Sequence, residues 1–341
     1  MIRQPKAFSY SLIVGGSGMY TTLGDIEFSQ SVNGYGLSGL LTSMFTVALP
    51  SDGFSADDGA TVQLLCSDSN IKFPNYYISS RNVTGNKVVL NCVDDMQFAD
   101  QTCSIAENAF TDDKISTALA LDYVTNQMGL DDWGGGNSAF HAIQYLSKVD
   151  VFQAKCSAIL EMVATAACGC WYISHGTTKI LMFRPFANSA TQASTSALKH
   201  TAIVLGNTKT ITSVALVGSD ETFIAGTGTA RQTIVINTPL ASAALVSALY
   251  ARLNGYTYTA WECTKTLTQS YMPIDTLCVF GSGQSLISTH STIKPSISGL
   301  FCSCGSQEVT EDEYSYSGAL DRKIDSKVGK GDAYDVYVYD N

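Results

Sequence analysis

Hydrophobic and polar residues alternate along the first third of the chain, which is the pattern of β-strands with one buried face. Clusters of glycine, asparagine and aspartate separate the alternating segments, which lie at 10–14, 61–66, 76–78 and 87–92. Gly85-Asn86 is expected to supply the positive φ angles of a tight hairpin turn between two of these segments. The pattern predicts an all-β domain, a barrel or a sandwich, over residues 1–102.

Apolar residues take helical spacing from about residue 103 onwards. Thr111 or Asp113 is expected to cap a helix that ends at Gly129, with Asp112 and Asp113 favourably placed at its positive end. The residues expected on one side of this helix are Ile115, Leu119, Ala120, Tyr123 and Met128. The glycine run at 134–136 is interpreted as a loop.

A second helix is predicted over residues 152–167 and is expected to end at Gly169. The residues that its spacing directs inwards are Ile159, Leu160 and Val163. A hairpin is predicted next, with strands at 170–174 and 179–183 around a turn at 175–177. The Ser, Thr and Ala stretch at 188–196 is interpreted as a linker, so residues 103–200 are predicted to form an α/β domain.

Alternation returns in the last third of the chain. Strands are predicted at 210–217, 231–236, 256–263, 275–280, 285–289 and 334–339. Thr238-Pro239 is expected to begin a helix over 240–253 that Gly255 closes. Residues 201–341 are therefore predicted to form a second β domain with one helix. The expected fold is mainly β with an α+β insertion: two antiparallel β-barrel-like domains separated by an α/β domain.

Composition narrows the classes of function. Lys plus Arg number 20 against 30 Asp plus Glu, and the net charge of −10 argues against a protein that grips nucleic-acid phosphates. Apolar residues make up 45% of the chain, as in a globular protein. No uninterrupted apolar run reaches the roughly 18 residues of a membrane helix, so no stable membrane insertion is expected. The apolar stretch near the start, at 12–14, is far shorter than the apolar core of a secretory signal. The ten cysteines are predicted to be reduced thiols of a protein made in a cytoplasm, and most of them to be small buried apolar residues.

The sequence lacks complete versions of the common nucleotide-binding and catalytic motifs. The cluster Gly15-Gly16-Ser17-Gly18 follows an apolar segment, but Thr21 stands where the dinucleotide pattern needs a third glycine. Ser17 lacks the second glycine of a nucleophile elbow, because Met19 occupies that place. None of the four histidines, at 141, 175, 200 and 290, adjoins a serine or cysteine motif. No cofactor is predicted.

Two kinds of side-chain pair remain as candidates for chemistry. Cys168 with Cys170, and Cys302 with Cys304, have one intervening residue, which is shorter than the usual zinc knuckle. The acidic pairs are Asp94-Asp95, Asp112-Asp113 and Asp131-Asp132, and two carboxylates across a cleft are what glycoside hydrolysis requires. Each acidic pair lies beside a turn or a helix start, where aspartate serves as a cap. We therefore predict no catalytic residue and no metal ligand.

Several segments in chain order resemble one protein family. They are the strand and acidic turn Val-Val-Leu-Asn-Cys-Val-Asp-Asp-Met at 88–96, the helix at 115–129, Ala-Ile-Leu-Glu-Met-Val-Ala at 158–164, Trp-Tyr-Ile at 171–173 and Ile-Leu-Met-Phe-Arg-Pro at 180–185. Together they resemble phage tail baseplate hub proteins, the family of the T4-type hub and its smaller relatives in contractile tails and phage-like particles. The similarity is one of residue types along most of the chain.

The resemblance implies a non-enzymatic subunit of the virion tail baseplate, assembled in the cytoplasm of the bacterial host. Two similar barrels per subunit and three subunits per ring would adapt a sixfold tube to a threefold spike. The implied partners are further copies in a homotrimer, the tail tube or distal tail protein ring, the central spike or tip protein and the tape measure protein, with DNA only as passing cargo. Two alternatives stay open: a tail-tip cell-wall hydrolase, marked by close carboxylates or a metal, and a surface-glycan binding module, marked by exposed aromatics beside polar groups.

Overall fold

The computed structural model describes residues 9–22, 26–32, 38–67, 72–134, 143–175, 178–185, 200–229, 232–266, 276–278, 285–287, 289–296, 299–306 and 315–316. The strands in this part of the chain are β1 (Tyr10–Val14), β2 (Gly18–Thr21), β3 (Glu27–Ser31), β4 (Ser38–Leu40), β5 (Thr42–Pro50), β6 (Thr61–Cys66), β7 (Lys72–Thr84), β8 (Lys87–Val93), β9 (Lys114–Ser116), β10 (Asp132–Gly134), β11 (Tyr145–Ser147), β12 (Gly169–His175), β13 (Lys179–Pro185), β14 (His200–Thr210), β15 (Ser213–Val217), β16 (Thr222–Gly226), β17 (Thr233–Asn237), β18 (Thr257–Thr266), β19 (Thr276–Cys278), β20 (Ser285–Ile287), β21 (His290–Ser296), β22 (Gly299–Ser306) and β23 (Ser315–Tyr316). The helices are α1 (Thr117–Met128), α2 (Lys148–Val151), α3 (Cys156–Ala167) and α4 (Ala243–Leu253), with 3₁₀ helices at Asp95–Asp100 and Glu107–Ala109.

One eleven-stranded antiparallel sheet combines strands from the two ends of the chain. Its strand order is β14-β18-β22-β21-β3-β5-β8-β7-β6-β1-β2. The two sets of strands meet where β3 pairs with β21, with Phe28 opposite Ile293. The first and last thirds of the chain therefore share one hydrogen-bonded sheet.

The first third buries alternate residues of its strands, as predicted. Along β8 the side chains of Val88, Leu90 and Cys92 are buried and their neighbours are half-buried. An aromatic cluster fills the centre, where the rings of Phe28 and Phe45 stack with centroids 4.4 Å apart. The hairpin turn between β7 and β8 is confirmed, although Gly85 alone of its two central residues has a positive φ, +61°.

The middle of the chain packs α1 and α3 beside the four-stranded sheet β10-β13-β12-β4. The predicted hairpin is confirmed as the antiparallel pair β12 and β13. Trp171 on β12 is fully buried, and its indole N–H donates to the carbonyl oxygen of Leu160 at 3.0 Å. Ile159, Leu160 and Val163 of α3 are buried, as their spacing predicts.

The predicted start of α1 is wrong. Ser116 caps the helix by accepting a hydrogen bond from Leu119 N, so neither Thr111 nor Asp113 is the cap. Asp112 and Asp113 instead form the centre of a two-residue turn with φ of 51° and 56°, a conformation that aspartate tolerates better than most residues. Ile115 belongs to β9, and Leu119 is exposed rather than part of the buried face.

The predicted start of the second helix and its closing residue are also wrong, whereas its last helical residue, Ala167, is as predicted. Residues 148–151 form the separate helix α2, and α3 begins only at Cys156. Cys168, with φ of 54°, is the left-handed residue that ends α3, a place expected for Gly169. Gly169 is needed for another reason, because a Cβ there would lie 2.3 Å from the carbonyl oxygen of Arg184.

The last third departs from its prediction in three places. The strand predicted at 210–217 is two strands, β14 and β15, which belong to different sheets. β15 pairs in parallel with β17, so this region is not purely antiparallel. The helix α4 begins at Ala243 with Ser242 as its cap. Thr238-Pro239 makes a turn before it, in which Thr238 Oγ1 accepts from Leu240 N.

The mainly β fold with helical insertions is confirmed, and the domain boundaries at 102 and 200 stay a prediction. The linker at 188–196, the strand at 334–339, the glycines at 135 and 136 and Arg231 lie outside the described residues. In the part of the chain that is described, no helix has both the length and the apolar character needed to cross a membrane.

Candidate functional site

The acidic turn after β8 holds two buried carboxylates, those of Asp94 and Asp95. Asp94 caps the 3₁₀ helix that follows, because its Oδ1 accepts from Met96 N at 3.1 Å. Its Oδ2 accepts from Ser43 N on β5 at 2.9 Å. Burial raises the pKa of Asp94 to about 7, although both backbone hydrogen bonds favour the carboxylate. The expected role of this aspartate as a cap is thus present in the structure.

Asp95 joins the first third of the chain to the middle. Its Oδ1 lies 2.8 Å from Lys179 Nζ on β13 and accepts a second hydrogen bond, also 2.8 Å, from the hydroxyl of Tyr77. Lys179 Nζ in turn donates to the Tyr77 hydroxyl at 2.7 Å. We call Tyr77, Asp95 and Lys179 the Asp95 junction. Burial opposes the charged form of Lys179, but the hydrogen bonds with Asp95 and Tyr77 outweigh it and raise the pKa of the lysine.

Asp131 binds the backbone of the same lysine. Its Oδ2 accepts from Lys179 N at 2.6 Å, and Asp131 N donates to the carbonyl oxygen of Lys179 at 2.9 Å. One aspartate from each of two acidic pairs therefore contacts the same residue of β13, whereas Asp112 and Asp113 lie in the turn before β9. The carboxylates whose contacts are described hold strands and turns in place, so their oxygens stabilise the fold. Nothing in the sequence marked Lys179 as their common partner.

The cysteine pairs take different places. Cys168 ends α3 and Cys170 lies in β12, and burial raises the pKa of each thiol to about 12. Such thiols are inert packing groups. Cys302 and Cys304 belong to β22, but their side chains lie outside the described ones. Within the described ranges, no three His, Cys, Asp or Glu side chains converge on a point where a metal ion could bind.

Two solved structures of phage tail proteins share the fold of this chain. The 43 kDa tail protein of prophage MuSo2 from Shewanella oneidensis matches with a TM-score of 0.58 and 9% identity, over 90% of this chain and 98% of that one. Prophage tail protein gp18 from Listeria monocytogenes matches with a TM-score of 0.55 and 8% identity, over 89% and 95%. Neither a protein-family model nor a curated protein sequence matches the chain.

A secretion-system protein has the same fold. The Escherichia coli c3393 protein, described as a type VI secretion component similar in structure to the T4 phage tail proteins gp27 and gp5, matches with a TM-score of 0.50 and 9% identity, over 91% of this chain and 79% of that one. The matches run along almost the whole chain. The fold expected from the resemblance is therefore confirmed as one shared with phage tail proteins.

Proposed function

We propose that this chain is a structural hub protein of a phage or phage-like tail, where three copies form a ring between the tail tube and a central spike or tip. The observation that carries the proposal is the end-to-end likeness to tail proteins, which spans 90% of this chain and 98% of the MuSo2 tail protein. A match confined to one region would leave the rest of the chain free for another activity. Here one tail-protein fold accounts for the first third, the middle and the last third together.

The eleven-stranded sheet suits a ring. Among the described strands, β14 and β2 lie at its two ends. An edge strand has unpaired backbone N–H and C=O groups, which proteins usually cover. In a closed ring, head-to-tail contacts between copies can cover the edge strands of every copy. The first and last thirds are proposed to act as two similar β units in each copy, so that three copies present six units to a sixfold tube and keep the threefold symmetry of a spike. The neighbours of this ring are the tail tube or distal tail protein, the spike or tip, and the tape measure protein.

The proposed role is non-enzymatic. The contacts of Asp94, Asp95 and Asp131 support this, because these carboxylates bind backbone N–H groups, a tyrosine and a lysine within the fold. DNA passes through the ring as cargo, and the protein belongs to the virion tail after assembly in the host cytoplasm.

The proposal is tested by deleting the gene for this chain from the genome that encodes the phage or phage-like particle. Without the hub, tube polymerisation lacks its starting ring, so we expect particles without tails under the electron microscope. Expression of the wild-type chain in trans should restore the tails. Tails of normal length and frequency in the deletion strain would contradict a hub role.

A further inference from the structure

A cleft of about 410 Å³ lies between the middle of the chain and its last third. Lys114, Tyr145 and Ser147 of the strand pair β9 and β11 form one wall, and Asp150 of α2 lies beside them. Pro239 and Leu240, from the turn before α4, form the other wall. Ligand sites in proteins commonly lie at such boundaries between structural units.

The pairing of β9 with β11 determines which side chains of these two strands face the cleft and which face the core. Leu146 is opposite Ile115, and both are buried in the core. Because side chains alternate along a strand, Tyr145 and Ser147, with Lys114 opposite Ser147, share the other face. Tyr145 is 60% exposed, so much of its ring is accessible on this face.

Both walls of the cleft are held in place. Lys148 N donates to the carbonyl oxygen of Asp113 at 2.8 Å, and Lys148 Nζ lies 5.5 and 5.4 Å from the ring centres of Phe110 and Phe152. These contacts fix α2, which carries Asp150. On the opposite side, Thr238 is buried, its N–H donates to Val217 O at 2.9 Å and its Oγ1 accepts from Leu240 N. A preformed cleft binds a ligand without the entropy cost of ordering its own walls.

The chemistry of the cleft fits a neutral ligand with many hydroxyl groups. Lys114 and Ser147 line the cleft with an ammonium that can donate and a hydroxyl that can donate or accept, and Asp150, which already interacts within the fold, adds a negative charge. Because the lining includes one positive group, Lys114, and one negative group, Asp150, the cleft favours a ligand without net charge. The ring of Tyr145 and the side chains of Pro239 and Leu240 offer flat apolar surface, which the C–H face of a sugar ring matches while the sugar hydroxyls reach the polar groups.

We propose that this Tyr145 cleft binds a neutral saccharide. Its volume of about 410 Å³ lies near the lower end of the range of roughly 300–1,000 Å³ for ligand pockets, so a mono- or disaccharide fits. The proposal does not depend on the hub role, since the cleft is formed within one copy of the chain.

The test uses the full chain with maltose, lactose and N,N′-diacetylchitobiose as probes, observed by saturation-transfer NMR and titration. At least one probe should bind with a Kd of about 1–10 mM. Tyr145→Ala should weaken that binding about tenfold or more, while Tyr145→Phe, which keeps the ring, should retain most of it. Val149→Ala is the matched control, because Val149 is 73% exposed on neighbouring α2 but does not line the cleft.

Three results would overturn the proposal. The first is no binding of any probe at concentrations of about 10 mM. The second is equal binding by the Tyr145→Ala and Val149→Ala proteins, which would place the saccharide elsewhere. The third is tighter binding of the dipeptide glutamyl-lysine than of every saccharide, which would mark the cleft as a peptide site. Circular dichroism of each variant establishes that it is folded before binding is measured.

Discussion

Lys179 Nζ lies 2.8 Å from Asp95 Oδ1, although the two residues are 84 positions apart in the chain. The carboxylate is almost fully buried, and the Tyr77 hydroxyl donates to the same oxygen. The contact joins the hairpin of β12 and β13 to the end of β8, so the middle of the chain is fixed against the large sheet by a polar contact beside its apolar core. Stability and assembly should both depend on it.

Lys179→Met should destabilise the protein by about 2–4 kcal/mol, because removal of one partner leaves a buried carboxylate without its cation. This is below the roughly 3–5 kcal/mol of a fully buried pair, since the Lys179 side chain is 36% exposed and its charge is partly screened. Lys155→Met is the control. Lys155 pairs with Asp100 at 2.5 Å, but both side chains are more than half exposed, and such pairs contribute about 0–1 kcal/mol. Urea unfolding of the two variants gives the comparison. Equal losses in free energy of unfolding would show that the Asp95 junction is no more important than a surface ion pair.

Asp94 should make stability fall as the pH rises through the acidic range. Burial raises its pKa to about 7 in the folded protein, above the value of about 3.9 expected for an unfolded chain. Between these two values the native state holds a proton that the unfolded state releases. The free energy of unfolding therefore decreases with increasing pH in this window, by on the order of 4 kcal/mol, and the loss is complete above about pH 7.

Asp94→Asn isolates this contribution, because asparagine does not titrate. Urea unfolding at about pH 4.5 and about pH 8 should show a larger loss of stability in the wild-type protein than in the variant. The variant also presents an amide N–H₂ to one of two backbone donors, a cost that is the same at both pH values. Parallel pH profiles for the two proteins would refute the assignment.

Gly169→Ala should disrupt the start of β12. A Cβ at this position would lie 2.3 Å from Arg184 O and 2.5 Å from Phe183 Cζ, distances that require the β12 and β13 hairpin to shift. Such overpacking in a core costs about 1–3 kcal/mol or more. Gly134→Ala in the same sheet is the matched control, since its Cβ would come no closer than 3.4 Å to Met182 Sδ. Thermal unfolding should show a clear decrease in Tm for the first variant alone, and similar Tm values would contradict the packing argument.

The isolated chain should not bind duplex DNA at roughly physiological salt, because a net charge of −10 provides no excess of cations to neutralise phosphates. A ring through which DNA passes benefits from an acidic or neutral wall that does not retain it. Fluorescence anisotropy of a labelled duplex measures this directly. Binding that weakens steeply with salt would indicate a basic surface stripe and contradict the expectation.

Local patterns were sufficient for most strands and for the inward face of α3. Val88, Leu90 and Cys92 alternate with half-buried neighbours because one face of β8 meets the core, and such a period is visible without a structure. Gly85 marked its turn because few other residues take its φ of +61°. The alternation and the glycine turn depend on residues that are close together in the chain, so they can be predicted from the sequence.

Contacts between distant segments explain what the sequence did not reveal. Pairing of β9 with β11 takes residues 114–116 into a sheet, which moves the start of α1 to Thr117 and its cap to Ser116. The pairing of β3 with β21, and the meeting of Asp95 and Asp131 at Lys179, likewise depend on segments far apart in the chain. No local pattern marks which lysine will meet a given carboxylate.

The number of copies per tail tests the hub role most directly. A reconstruction of the assembled particle, with this chain fitted to its density, should show three copies in one closed ring on the tail axis, between the tube and the tip, because a hub must adapt sixfold to threefold symmetry. Six copies or one copy at that position, or a location away from the axis, would contradict the account.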